Sequence, residues 1–171
     1  LSNLFDGKFN FEINQTPEKH QFNIKKLCDE IKKYDFNLRL SLNINKSLMN
    51  FATSIDELIS KIFERAKELN ANQITFRKLY TSGLNTKEDE WLENNDIDTE
   101  FWTKINLFIK FNGRELEMLP FGAMRYSVLG MSTVVDSDCM SESSKNVLKY
   151  LVLRPDCKLY TKWDDEGSLL F

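Results

Sequence analysis

Few side chains in this 171-residue sequence are equipped for catalysis, and their scarcity is informative. There is one histidine, His20. A site with two or three histidine ligands cannot be assembled within one chain. A Ser-His-Asp or Cys-His relay would have to use His20 alone. The preceding Thr16, Pro17, Glu18 and Lys19 are turn formers, which places His20 in a solvated loop. The cysteines Cys28, Cys139 and Cys157 lack C-x-x-C spacing, so a local zinc or redox motif is absent. Asp164, Asp165 and Glu166 before Gly167 read as a solvated turn rather than a metal site. What remains is polar and regularly spaced. Arg39, Ser41, Asn43 and Asn45 occupy every second position of one segment, and Thr75 and Arg77 do so in another. Guanidinium and amide groups gathered together suit a carboxylate, a phosphate or a nucleoside.

The elements that carry these residues follow from periodicity. Asn37 to Asn45 reads NLRLSLNIN, with Leu38, Leu40, Leu42 and Ile44 alternating with the polar set. This is strict period two, a strand with one apolar and one polar face. Ser54-Ile55-Asp56-Glu57 offers a capping box. Behind it Ile55, Leu58, Ile59, Ile62, Phe63, Ala66 and Leu69 keep helical spacing. Gln73 to Tyr80 is short and β-rich. Strand, helix, strand is a βαβ unit, so the two strands are expected to be parallel with a right-handed crossover. The polar face then has two solutions: a polar interior such as a barrel lumen, or an edge strand with one wet face. The parallel crossover favours the interior, because burying an unpaired amide costs about 1–3 kcal/mol.

Around this unit the pattern is less regular. Phe9, Phe11 and Ile13 alternate with polar residues, which fits a short strand or a loop pinned by aromatic anchors. A helix is expected over Asn23 to Asp35, with Ile24, Leu27, Cys28, Ile31 and Tyr34 on one face and Cys28 as a small buried hydrophobe. Thr81 to Asp98 reads as a polar, acidic connection after a strand end. Asp98 or Thr99 caps a helix carrying Phe101, Trp102, Ile105, Phe108 and Ile109, which Asn112-Gly113 stops. Met118 to Val135 offers short β pieces. Val147 to Arg154 and Cys157 to Trp163 form a hairpin about Pro155-Asp156. Trp102 and Trp163 are read as packing residues. The expected class is α/β, with 1–114 as βα units and 115–171 as a β-rich extension packed on the same compact unit.

Composition bounds the function. The chain is 42% apolar and 29% charged, which excludes wholesale disorder. Its 23 basic and 26 acidic residues give a net charge of −3 and a pI near 5.3. This acidic balance argues against a nucleic-acid partner. No apolar run approaches the roughly 18 residues of a membrane span, and no signal-peptide pattern opens the chain. An odd, small number of cysteines fits a reducing, cytoplasmic home.

The run NLRLSLNIN, the segment SIDELISKIFERAKELNANQITFRKLY and the closing KYLVLRPDCKLYTKWDDEGSLLF together resemble the C-terminal part of a radical S-adenosylmethionine enzyme. The resemblance implies the end of a partial (β/α)6 barrel. In it LSNLFDGKFNF follows the fourth strand, Asn37–Asn45 is the fifth, Gln73–Tyr80 is the sixth, and the final hairpin covers the barrel. It implies cofactor contacts from Asn43 and Asn45, with Arg39 and Ser41 deeper in the lumen. It implies substrate contacts from Thr75, Arg77, Tyr80 and Arg154, and from Asp156 beside it. Cys157 stands where a Gly is usual after Pro-Asp. The family's C-x-x-x-C-x-x-C loop, whose thiolates hold a [4Fe-4S] cluster, has no counterpart here. The expectation is a C-terminal fragment of a bacterial-type enzyme whose cluster loop precedes Leu1. Alone it binds neither cluster nor S-adenosylmethionine and is inactive. Its partners are the missing N-terminal barrel half and, through exposed strand edges, another copy of itself. The alternative is a non-catalytic α/β binding or interaction domain, complete as it stands.

Overall fold

The alternation around NLRLSLNIN produces strand β1 (Arg39–Asn43), and QITFR produces β2 (Gln73–Arg77). They pair in parallel, Leu40 opposite Ile74 and Leu42 opposite Phe76. Between them runs α3 (Ile55–Glu68). This is a computed structural model, and it describes residues 6–81, 83, 85–120, 122–136, 151–161 and 166–170. Trp163, Asp164, Asp165 and Cys139 lie outside the described residues.

The start of α3 differs in one detail from the expected box. The Ser54 hydroxyl accepts the Glu57 N–H at 3.2 Å, as expected. The Glu57 carboxylate reaches one residue further back, taking the N–H and hydroxyl of Thr53, both at 2.7 Å. It also pairs with Lys61 at 2.6 Å. The Lys61 and Thr53 hydrogen bonds hold this carboxyl down to about 2 from an ordinary 4.5.

The other elements are α1 (Gly7–Ile13), α2 (Ile24–Lys33), α4 (Lys87–Asn95), α5 (Thr99–Asn112), β3 (Gly113–Met118), β4 (Met124–Val128) and β5 (Met131–Asp136). Strand β5 pairs with β2 in parallel, and β4 and β3 add antiparallel beyond it. The sheet order is β1-β2-β5-β4-β3. The chain is thus mixed α/β, and five of the strands among the described residues form an open sheet with β1 and β3 as edges rather than a closed barrel. Strands β3 to β5 continue the same sheet across the expected boundary at residue 114. Leu129 and Gly130, with φ of 50° and 80°, make the two-residue turn from β4 to β5. Positive φ at both positions matches the twist of the flanking strands.

The apolar strand face meets the helices. Leu40, Leu42, Ile44, Ile74 and Phe76 join Leu58, Ile62 and Phe63 of α3 and Phe101, Ile105 and Ile109 of α5 in one cluster. The Phe63 ring lies 5.9 Å from Phe76 and 5.5 Å from Phe108. Each such buried side chain contributes about 1.5–3 kcal/mol of transfer free energy. Helix α5 passes into β3 without a loop. This requires Gly113, because a Cβ there would lie 2.5 Å from the Ile109 carbonyl oxygen and 2.9 Å from Val128 Cγ2.

Several expectations are corrected. Phe9, Phe11 and Ile13 lie on a helix, not on a strand or a loop. Asp6 caps it, accepting the Phe9 N–H at 3.1 Å. Phe9 packs edge-on against Phe51 and Phe11 against Phe22, so the alternation serves two different partners. Helix α2 buries Ile24 and Cys28, but Leu27 is 43% and Tyr34 74% exposed, so its apolar stripe is narrower than expected. The connection over 81–98 contains α4, started by a capping box between Thr86 and Asp89. Asp replaces the usual Glu in that box, and few apolar residues follow it, which hides the helix from periodicity.

Contacts divide the chain into two units, Leu1–Met140 and Ser141–Phe171. In the second, β6 (Val152–Leu153) and β7 (Leu159–Tyr160) form the expected hairpin. Its turn closes with the Cys157 N–H on the Arg154 carbonyl at 2.9 Å. Cys157 has φ of 61°, the left-handed conformation that a glycine adopts without strain.

Candidate polar sheet face

Side chains alternate across a strand, so the residues opposite the core share the other face of the sheet. The register gives three rows there. Arg39, Gln73 and Ser132 stand at the amino ends of β1, β2 and β5, with Ser127 and Arg114 continuing the row on β4 and β3. Ser41, Thr75 and Val134 form the middle row, extended by Arg125 and Glu117. Asn43, Arg77 and Asp136 form the row at the carboxyl ends of the three parallel strands. Ligands of open α/β sheets bind at those ends.

The rows differ in environment. Arg39 and Asn43 are exposed, Ser41, Arg77 and Asp136 are half-buried, and Thr75 is buried at 6%. Arg125 and Glu117 pair across β4 and β3 at 2.8 Å. Arg77 Nε, Ser132 Oγ and Arg125 Nε are buried with no hydrogen-bond partner. An unmade hydrogen bond at a buried donor costs about 1–3 kcal/mol. Three such atoms on one face mark it as a surface whose polar groups the described residues leave partly unanswered.

The structure brings together Ser41, Asn43, Thr75 and Arg77, with Arg39 at the far end of the same face. It separates the rest. Asn45 is 1% exposed and acts as a cap of the 3-10 turn Lys46–Phe51. Its carboxamide donates to the Asn43 carbonyl at 3.0 Å, and its oxygen accepts the Ser47 N–H at 3.1 Å and contacts the Ser47 hydroxyl. Tyr80 is 51% exposed beyond the end of β2. Arg154 belongs to the second unit, where its guanidinium lies 3.7 Å from the Tyr160 ring centroid. Asp156 accepts the Lys158 N–H at 3.1 Å and the Tyr160 hydroxyl at 2.9 Å. These bonds, the Lys158 amide foremost, hold the Asp156 carboxyl below its ordinary range.

Asp136, Ser132 and Arg125 escape sequence reading. Ser132 and Asp136 do alternate in MSTVVD, but Val134-Val135 breaks the polar–apolar rhythm that made β1 legible. Trp102 packs edge-on against Phe101, as expected of a core tryptophan.

Cys28 is buried on α2 and Cys157 is exposed in the hairpin turn of the other unit. Among the described residues, no group of three or more His, Cys, Asp or Glu side chains could hold a metal ion. No helix among them is long and apolar enough to cross a membrane. No family model matches the chain, and no curated protein or solved structure matches it significantly.

Proposed function

We propose that this chain is the C-terminal portion of a cytoplasmic radical S-adenosylmethionine enzyme, completing a partial barrel and lining the cofactor and substrate cavity. One observation supports the reading. A parallel pair joined through a helix sets Ser41 beside Thr75 and Asn43 beside Arg77 on one polar face, with the aliphatic face turned to helices. Ser41 and Asn43 would hold the polar groups of S-adenosylmethionine, and Thr75 and Arg77 would flank the substrate. S-adenosylmethionine, when bound, supplies the hydrogen-abstracting chemistry. The chain's own residues bind, orient and exclude water. A [4Fe-4S] cluster is assigned to residues outside this chain. The open edges of β1 and β3 are proposed to pair with the remaining barrel or with a second copy.

The test uses the full-length gene product, reconstituted with iron and sulfide. Reductive cleavage of S-adenosylmethionine is the expected result. Absence of cleavage with the cluster spectroscopically intact would remove the enzymatic reading and leave a non-catalytic binding domain.

A further inference from the structure

The row at the carboxyl ends of β1, β2 and β5 holds three kinds of group: the Asn43 carboxamide, the Arg77 guanidinium and the Asp136 carboxylate. Arg77 and Asp136 are register partners on strands about 4.8 Å apart. A cation and an anion so placed ordinarily close on each other. Here Arg77 enters none of the ion pairs found among the described residues. Its Nε is buried and unpartnered. Lys78, the next residue, pairs instead with Asp96 at 3.8 Å.

The combination discriminates between ligands. A bare carboxylate or phosphate drawn to Arg77 would meet Asp136 at the next strand, and like charges in one site repel. A bare amine drawn to Asp136 would meet Arg77. A group carrying both charges satisfies both. We infer that this row recognises the zwitterionic amino-carboxylate group of an α-amino-acid substrate. The Arg77 fork receives the carboxylate and Asp136 accepts from the ammonium, while Asn43 at the end of the row stays with the cofactor. The inference rests on the proposed reading of this face as substrate-facing and narrows it to a substrate class.

The test is a titration of this chain by amide NMR with L-leucine, N-acetyl-L-leucine, L-leucinamide and inorganic phosphate. L-Leucine is expected to give saturable shifts at residues 77 and 136. The acetylated and amidated forms are expected to bind about 10- to 100-fold more weakly, the loss of one charge-assisted hydrogen bond. Arg77→Met should erase the preference over leucinamide, and Asp136→Asn the preference over N-acetyl-leucine. The ligand comparison on the unaltered chain stands even if a variant unfolds. Equal binding of all three leucine forms, no saturable shift with leucine, or tighter binding of phosphate overturns the inference. Cofactor cleavage by the full-length protein is read separately, so either result can fail without the other.

Discussion

Replacing Gly113 by alanine tests how α5 is joined to the sheet. The new Cβ would lie 2.5 Å from the Ile109 carbonyl oxygen and 2.9 Å from Val128 Cγ2. The first neighbour is backbone, fixed in the last turn of α5, and the second belongs to the strand that pairs with Gly113. Relief therefore requires unwinding the helix end or prising β3 from β4. Overpacking of this kind costs about 1–3 kcal/mol. The Gly113 backbone, at φ −119°, is open to alanine, so the stiffer unfolded chain returns about 0.4–1 kcal/mol. The net expectation is a loss of about 1–2 kcal/mol, or roughly 2–8 °C in Tm for a domain of this size. Urea unfolding followed by circular dichroism measures it. Gly122→Ala is the control: nothing lies within 4 Å of its Cβ, and its φ of 85° leaves a conformational cost of about 1 kcal/mol. In NMR spectra, Gly113→Ala should shift the Ile109 and Val128 signals, and Gly122→Ala should leave them in place. A Gly113→Ala protein as stable as the parent would refute the argument that the missing side chain makes the helix-to-strand junction possible.

Cys157→Gly should stabilise the β6–β7 hairpin by about 1 kcal/mol, because the left-handed turn position no longer strains a side chain. Slower hydrogen exchange at the Arg154 and Cys157 amides would report it, and faster exchange would contradict it. Glu57 has a folded carboxyl near 2 against 4.5, so its stabilisation is complete above about pH 4.5 and is lost as pH falls toward 2. Glu57→Gln should flatten the fall of Tm across that window, and an unchanged pH profile would exclude the Thr53 and Lys61 bonds as its source. Phe76→Ala empties a site between β2 and α3 and should cost about 3–5 kcal/mol in denaturant unfolding. A cost under 1 kcal/mol would mean that the cluster collapses around the void.

The βαβ unit was legible because two periods coincide with two environments. Leucines at every second position of β1 face helices, and the spacing of α3 presents one stripe to them. The parallel pairing of β1 with β2 followed from that alone. The polar face was legible on β1 and in half of β2, where polar residues keep the alternate positions. It was invisible on β5, because Val134 is an apolar residue on that face. Asn45 shows the opposite failure: it keeps the period of β1, but the strand has ended and its carboxamide caps the next turn. Helices α1 and α4 were missed for a shared reason. Both are short, and side-chain caps at Asp6 and Thr86 start them rather than a long apolar stripe. A strand-like alternation survives on a short helix when its aromatic residues pack to different sides.

The strand order bears on how quickly the chain can fold. Strands β3, β4 and β5 are consecutive and can meander into place through close neighbours, whereas β2 must find a companion that begins about 55 residues later along the chain. Docking β2 on β5 is thus the long-range event that welds two locally assembled pieces. Loop-closure entropy grows only logarithmically, so lengthening the stretch between β2 and α4 should slow that event very little. Weakening the Leu129-Gly130 turn should retard it more, by depriving β2 of a preformed template.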